Sequence, residues 1–183
     1  MDIPDHFALF GLPERFGVDK QDLERRYLAL SRELHPDRHA MGTPSERLVA
    51  AQRTTDLNLA YKVLRDDFAR AEHILRRRGI ETSEIESEDK RQTVDGGLLM
   101  EIMELREVLS EAKSARALPQ VEAVRRDVQA RTERAWVAIR EQFDAIAEDD
   151  VASLSIVANQ LTALRYYRRI LEEVTTIEEE HES

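Results

Sequence analysis

Helix-compatible sequence runs through this chain with few interruptions: five prolines and six glycines are spread over 183 residues. Proline and glycine are the residues that stop helices, so a chain punctuated this sparsely is predicted to be mostly helical. The first clear segment spans 19–34. Leu23, Tyr27, Leu30 and Leu34 fall on one stripe at about 100° per residue, Asp19 can cap the start, and Asp22 suits the positive end of the first turn. Arg25 and Arg32 point almost directly away from that stripe and Arg26 flanks them, giving one core face and one cationic face. His35-Pro36-Asp37 ends the run, because proline has no amide hydrogen and biases its predecessor away from helical geometry. Past Gly42 and Pro44, a second long helix is predicted from near Ser45 with Leu57, Ala60, Tyr61 and Leu64 inward. A shorter helix carries Phe68, Ala71, Ile74 and Leu75 and stops at Gly79. The two long helices are expected to form an antiparallel hairpin.

Charge divides the chain. Residues 1–78 carry 14 basic and 13 acidic side chains, whereas 79–183 carry 13 and 24, so the overall charge of −10 is concentrated in the second half. Two modules are predicted, 1–78 and 94–183, joined by a polar, acidic connector over 79–93. The acidic surface disfavours nucleic-acid binding, which needs basic surface to neutralise phosphate. No run approaches the roughly 18 apolar residues of a membrane span, and the opening Met1-Asp2-Ile3-Pro4-Asp5 lacks the cationic start of a signal peptide. With no cysteine there are no disulfides, thiolate nucleophiles or thiolate metal sites in this chain; a cytoplasmic location and no membrane contact are expected.

The second module reads as three helices, Val94 to Ala115, Pro119 to Ala147, and Asp150 to about Glu179, followed by a solvated acidic end. Val121, Val124, Val128, Ala135, Ile139, Phe143 and Ile146 form the stripe of the middle helix; Leu154, Val157, Ala158, Leu161, Leu164 and Leu171 form that of the last. Short connections imply an antiparallel bundle. The first helix, with LLMEIMELREVL, holds more apolar residues than one stripe requires. Leu98, Ile102, Leu105 and Leu109 make the core stripe, while Leu99, Met100 and Met103 lie between about 100° and 200° from Leu98, bordered by Glu104, Glu107 and Glu111. Flexible methionines beside an acidic rim suit an adaptable binding surface, although such a patch can equally pack on a third helix or on the first module.

A helix with an outward basic face, the tripeptide His35-Pro36-Asp37 in the following loop, and a second long helix, all after FALFGLP, resemble a J-domain. LLMEIMELREVL with the later ALRYYRRILEEV resembles the C-terminal domain of the HscB family, J-proteins of iron–sulfur cluster biogenesis. The likeness spans nearly the whole chain and includes LNLAYKVLRDDFARAEHIL. It implies an all-α protein, an N-terminal J-domain followed by a C-terminal three-helix bundle. It further implies a co-chaperone that stimulates ATP hydrolysis by an HscA/DnaK-type chaperone and delivers an IscU-like scaffold protein to it. Chaperone docking then falls to His35, Pro36, Asp37, Arg25, Arg26, Arg32 and Arg38, and scaffold binding to Leu99, Met100, Met103, Glu104, Glu107 and Tyr166. Tyr166 lies about 120° from the core direction of its helix, so its ring can join the patch if the two helices are adjacent. Asp66-Asp67 departs from the family pattern, in which a proline stands near the second residue, and Tyr166 replaces a phenylalanine. The cysteine-bearing extension of eukaryotic members is absent, so the bacterial form is expected.

No Gly-rich phosphate loop, HExxH helix, GxSxG turn or dinucleotide fingerprint occurs, so no enzymatic activity, cofactor or metal is expected. Three alternatives stand beside the co-chaperone: a J-protein for a different client, a helical interaction protein in which the tripeptide is coincidental, and a metal-dependent hydrolase around His35, Asp37 and His39. The last sits poorly on a proline-broken loop, since metal ligands need rigid support.

Overall fold

The computed structural model describes residues 3–35, 42–80, 96–145 and 151–182. The described residues are helical, without strands, and the chain divides into two compact units, 1–79 and 80–183.

The first unit contains α1 (His6–Leu9), α2 (Lys20–Glu33), α3 (Pro44–Arg65) and α4 (Asp67–Arg77). It is an antiparallel α2–α3 hairpin with two short helices, α3 packing on α1, α2 and α4, the arrangement expected of a J-domain. Asp19 caps α2, its carboxylate accepting from the amides of Gln21 at 2.9 Å and Asp22 at 3.2 Å. Leu23 is fully buried while Tyr27, Leu30 and Leu34 are half-buried. Tyr27 stacks on Tyr61 at 4.1 Å and donates to Asn58 Oδ1 at 3.0 Å, fastening the two long helices face to face. Helix α3 starts at Pro44, one residue ahead of the Ser45 predicted, because Thr43-Pro44-Ser45-Glu46 is a capping box with proline in the first turn.

The Asp66-Asp67 pair that departs from the family pattern starts α4 by other means. Asp66 caps it, accepting from the Ala69 amide at 2.8 Å, and Asp67 pairs with Arg70 and Lys20, each at 2.8 Å. Arg70 is only 3 % exposed. It donates to the carbonyls of Phe16 and Leu64 and lies over the Phe16 ring, so a charge in the core is matched donor by donor. Arg77 bridges Asp5 and Glu14, tying the N-terminal segment to α4.

The second unit is a three-helix bundle of α5 (Gly96–Ser114), α6 (Leu118–Ala145) and α7 (Val151–Glu182), in which α5 packs on both other helices. Ile102, Leu105 and Leu109 are buried as the α5 stripe predicts, with Leu98 half-buried. Val121, Val124, Val128, Ala135 and Ile139 are buried on α6 and Phe143 is half-buried; Ile146 lies outside the described residues. On α7 the predicted stripe is buried at Leu154, Val157, Leu161 and Leu164 and half-buried at Ala158 and Leu171; Tyr167, Ile170, Val174 and Ile177 are buried as well. The acidic end read as a solvated tail is helical to Glu182. Ile177 is buried there, Arg125 of α6 pairs with Glu178, and Lys113 of α5 pairs with Glu180 at 3.1 Å. Those cations relieve the repulsion that would fray an isolated acidic turn.

Candidate partner-binding surfaces

In the first unit the cationic face of α2 is built by its own periodicity: burying Leu23 turns Arg25 and Arg32 outward, and both are exposed. Arg25 makes a 2.8 Å ion pair with Asp22, and with three quarters of its side chain in water that pair leaves its charge available to a partner. The same pairing holds the Asp22 carboxyl below the usual carboxylate range, through hydrogen bonds first from Arg25 and then from Arg26.

Arg26 carries a structural role that the sequence did not reveal. Its Nε reaches Asp22 at 2.8 Å and its Nη1 donates to the carbonyls of Phe10 and Gly11 at 2.9 and 3.2 Å, pinning the turn after α1 onto α2. Gly11 takes φ +61° in that turn, a left-handed conformation that favours glycine. His35 is exposed just beyond the C-cap Leu34, whose carbonyl accepts from Thr54 Oγ1 of α3 at 3.0 Å. The same hydroxyl lies 2.9 Å from the Ala50 carbonyl, so this contact ties the end of α2 to α3. Pro36, Asp37 and Arg38 lie outside the described residues, as does His39.

In the second unit, burial of Ile102, Leu105 and Leu109 forces the remaining apolar residues of α5 outward. Leu99, Met100 and Met103 are 38, 65 and 63 % exposed. Glu104 and Glu107 are exposed beside them, without an ion-pair partner among the described residues. The five therefore share one outward face of one helix. Tyr166 on α7 is half-buried. Its neighbour Tyr167 reaches α5, its hydroxyl donating to Glu101 Oε1 at 2.5 Å. Burial, and then the Glu101 carboxylate, push that phenol up to about 12. Glu101 also accepts Arg131 of α6 at 2.8 Å, so one carboxylate joins all three helices and sets the rotation of α5 that presents the patch.

Among the described residues no group of three His, Asp or Glu side chains could hold a metal ion, and no helix is long and apolar enough to cross a membrane. Asp37 and His39, two of the three ligands in the metal-hydrolase alternative, lie outside the described residues.

Residues 94–175 match the family model described as the HSCB C-terminal oligomerisation domain. The co-chaperone protein HscB of Proteus mirabilis is 32 % identical over 177 residues, 96 % of this chain and 96 % of that one. Two HscB homologues, from Bordetella petrii and Cupriavidus taiwanensis, are 40 and 36 % identical; the matches span 62 and 77 % of this chain, and 65 and 78 % of theirs. Among solved structures, chaperone HscB from Vibrio cholerae superposes with a TM-score of 0.73 at 31 % identity, over 97 % of this chain and 99 % of that one. Human co-chaperone protein HscB gives 0.76 at 26 % identity, over 94 and 81 %.

Proposed function

The chain belongs to the HscB family of co-chaperones, and from that premise we propose that it activates an HscA/DnaK-type chaperone through its J-domain and carries an IscU-like iron–sulfur scaffold on its bundle. Residues 1–78 are the activating module, 94–183 the carrying module, and 79–93 join them in a cytoplasmic protein. ATP is hydrolysed in the chaperone, so this chain contributes no nucleophile, base or cofactor. It shifts its partner's conformational equilibrium by binding one state better than another. Joining the two modules raises the effective concentration of scaffold near the chaperone, which promotes cluster transfer. The cluster is the scaffold's cargo; a chain without cysteine offers it no thiolate.

The observation that carries this reading is the outward face of α5. Three apolar side chains stay in water on a helix whose opposite stripe is buried, and two carboxylates without an ion-pair partner among the described residues sit beside them. Exposed apolar surface of that kind on a charged protein marks a partner site. The cationic face of α2 supports the other half, because positive potential steers encounter with an acidic chaperone surface.

Steady-state ATP hydrolysis by an HscA-type chaperone tests both halves, measured with this protein and with or without an IscU-type scaffold. Stimulation with scaffold should exceed what the separate effects predict, and His35→Gln should abolish it. Joint replacement of Leu99, Met100 and Met103 by alanine should remove the scaffold-dependent part alone, with helicity unchanged. Absence of stimulation by the wild type would refute the reading, and stimulation indifferent to scaffold would replace the client.

A further inference from the structure

The apolar patch does not end at the ridge of α5. Beyond Glu104 the surface dips into a groove between α5 and α6, lined by Leu105, Val108, Ala123, Val124 and Asp127. Leu105 and Val124 form its floor at 7 and 5 % exposure, while Val108 on its wall is 47 % exposed, a large apolar side chain left in water. The rim is acidic. Arg131, the cation among the lining residues, is held between Glu101 at 2.8 Å and Asp127 at 3.0 Å. Glu104 has no ion-pair partner among the described residues, which leaves the groove with a net charge of −2.

We propose that this groove seats a lysine or arginine side chain of the scaffold protein, its aliphatic stem on Val108 and Val124 and its cationic head against the carboxylates of Glu104 and Asp127. The inference rests on the bundle being the scaffold carrier. A long basic side chain matches both parts of the groove, because its methylene stem covers apolar surface while its head remains among charges. A second copy of this chain matches poorly, since each copy would bring the same acidic rim to the other. The groove also supplies what the patch lacks. Apolar contact is non-directional, whereas a cation held against α5 and α6 together fixes the angle at which the scaffold approaches.

Calorimetric titration of the full-length protein with an IscU-type scaffold tests this, using variants of α6, which the patch does not include. Gln120 lines the groove and Ala123 forms part of its wall, both exposed. Ala123→Lys places a competing cation there and should weaken binding at least fivefold. Gln120→Glu adds a carboxylate to the rim and should tighten binding about twofold. Gln129→Lys, exposed about 120° round the same helix, makes the charge change of Ala123→Lys away from the groove and should leave affinity near that of the wild type. If Ala123→Lys and Gln120→Glu both bind like the wild type, or Gln129→Lys weakens binding as much as Ala123→Lys, the groove has no occupant and the proposal is overturned. Tighter self-association of this chain, in place of scaffold binding, would overturn it in favour of a second copy. Failure of the wild type to bind scaffold at all would instead refute the function on which the inference rests.

Discussion

Lowering the pH should loosen the J-domain well before its carboxylates begin to protonate, and the cause is one histidine. His73 on α4 is 2 % exposed and stacks on the His6 ring at a centroid distance of 4.2 Å. Its Nε2 is buried without a hydrogen-bond partner among the described residues. Burial first, then the neighbouring His6, Arg77 and Arg76, depress its pKa from 6.5 to about 4. The unfolded chain takes up this proton near 6.5 and the folded chain only near 4, so between those values the unfolded state binds more protons. Stability is therefore complete above about pH 6.5 and is lost as the pH falls towards 4. At about 1.4 kcal/mol per pH unit, the full loss is about 3 kcal/mol, of which about 2 kcal/mol is gone by pH 5. His6, depressed by burial and then by Arg76, adds to it in the same direction. Asp22 and Asp67 act in a separate window. Asp22 is lowered by Arg25 and Arg26; at Asp67 burial works upward but hydrogen bonds from Lys20 and Arg70 outweigh it, so both add their loss only below 3.8. Urea unfolding at pH 7, 6 and 5, read from the amide resonances of α3 and α4, isolates the first unit. His73→Phe keeps a ring against His6 and removes the orphaned nitrogen, so it should be at least as stable at pH 7 and much flatter towards pH 5. An unchanged slope in that variant would show that the buried pair is not its source.

Two further outcomes follow from charge and backbone. Arg70→Met keeps an unbranched apolar stem but leaves the carbonyls of Phe16 and Leu64 without their buried donor, at about 1–3 kcal/mol for each unsatisfied group. The first unit should lose roughly 3 kcal/mol in the same resonance-based urea titration, and a loss below about 1 kcal/mol would mean that water replaces the guanidinium. Arg116 closes α5 at φ +52°, with its amide donating to Lys113 and that of Ala117 to Ala112, a left-handed cap that favours glycine. Arg116→Gly should stabilise the bundle by about 1 kcal/mol, seen as a higher thermal midpoint in the fluorescence of Trp136, the chain's one tryptophan.

What the sequence made legible was decided by how local the governing interaction is. The cap at Asp19 and the α5 wheel depend on residues three or four apart and the break at His35-Pro36-Asp37 on adjacent ones, so each is readable from the sequence, whereas the Thr43 capping box that starts α3 ahead of Ser45 is read from the structure. The wheel separates Leu99, Met100 and Met103 from the core stripe, but whether they face water or a neighbouring helix is not local information; their exposure is read from the structure. Arg26 was opaque for the same reason. Its partners are the carbonyls of Phe10 and Gly11, which are identical in kind at every residue and leave no trace in side-chain pattern. On α7 a fixed 100° wheel runs through Leu171 and past Tyr167, whereas the buried residues Leu154, Val157, Leu161, Leu164, Tyr167, Ile170, Val174 and Ile177 recur every three or four positions and drift round the helix. Tyr167 and Ile170 are buried by that geometry, and Glu101 then supplies the acceptor that a buried hydroxyl requires. The groove between α5 and α6 lies at the far end of this scale. Val108 and Ala123 are unremarkable on their own helices, and they become two walls of one groove only when Glu101, Arg131 and Tyr167 fix the rotation of all three helices together. On the function proposed above, scaffold affinity should therefore depend on that triad as well as on the residues in contact, since releasing Glu101 lets α5 turn and parts the Val108 wall of the groove from the Ala123 wall.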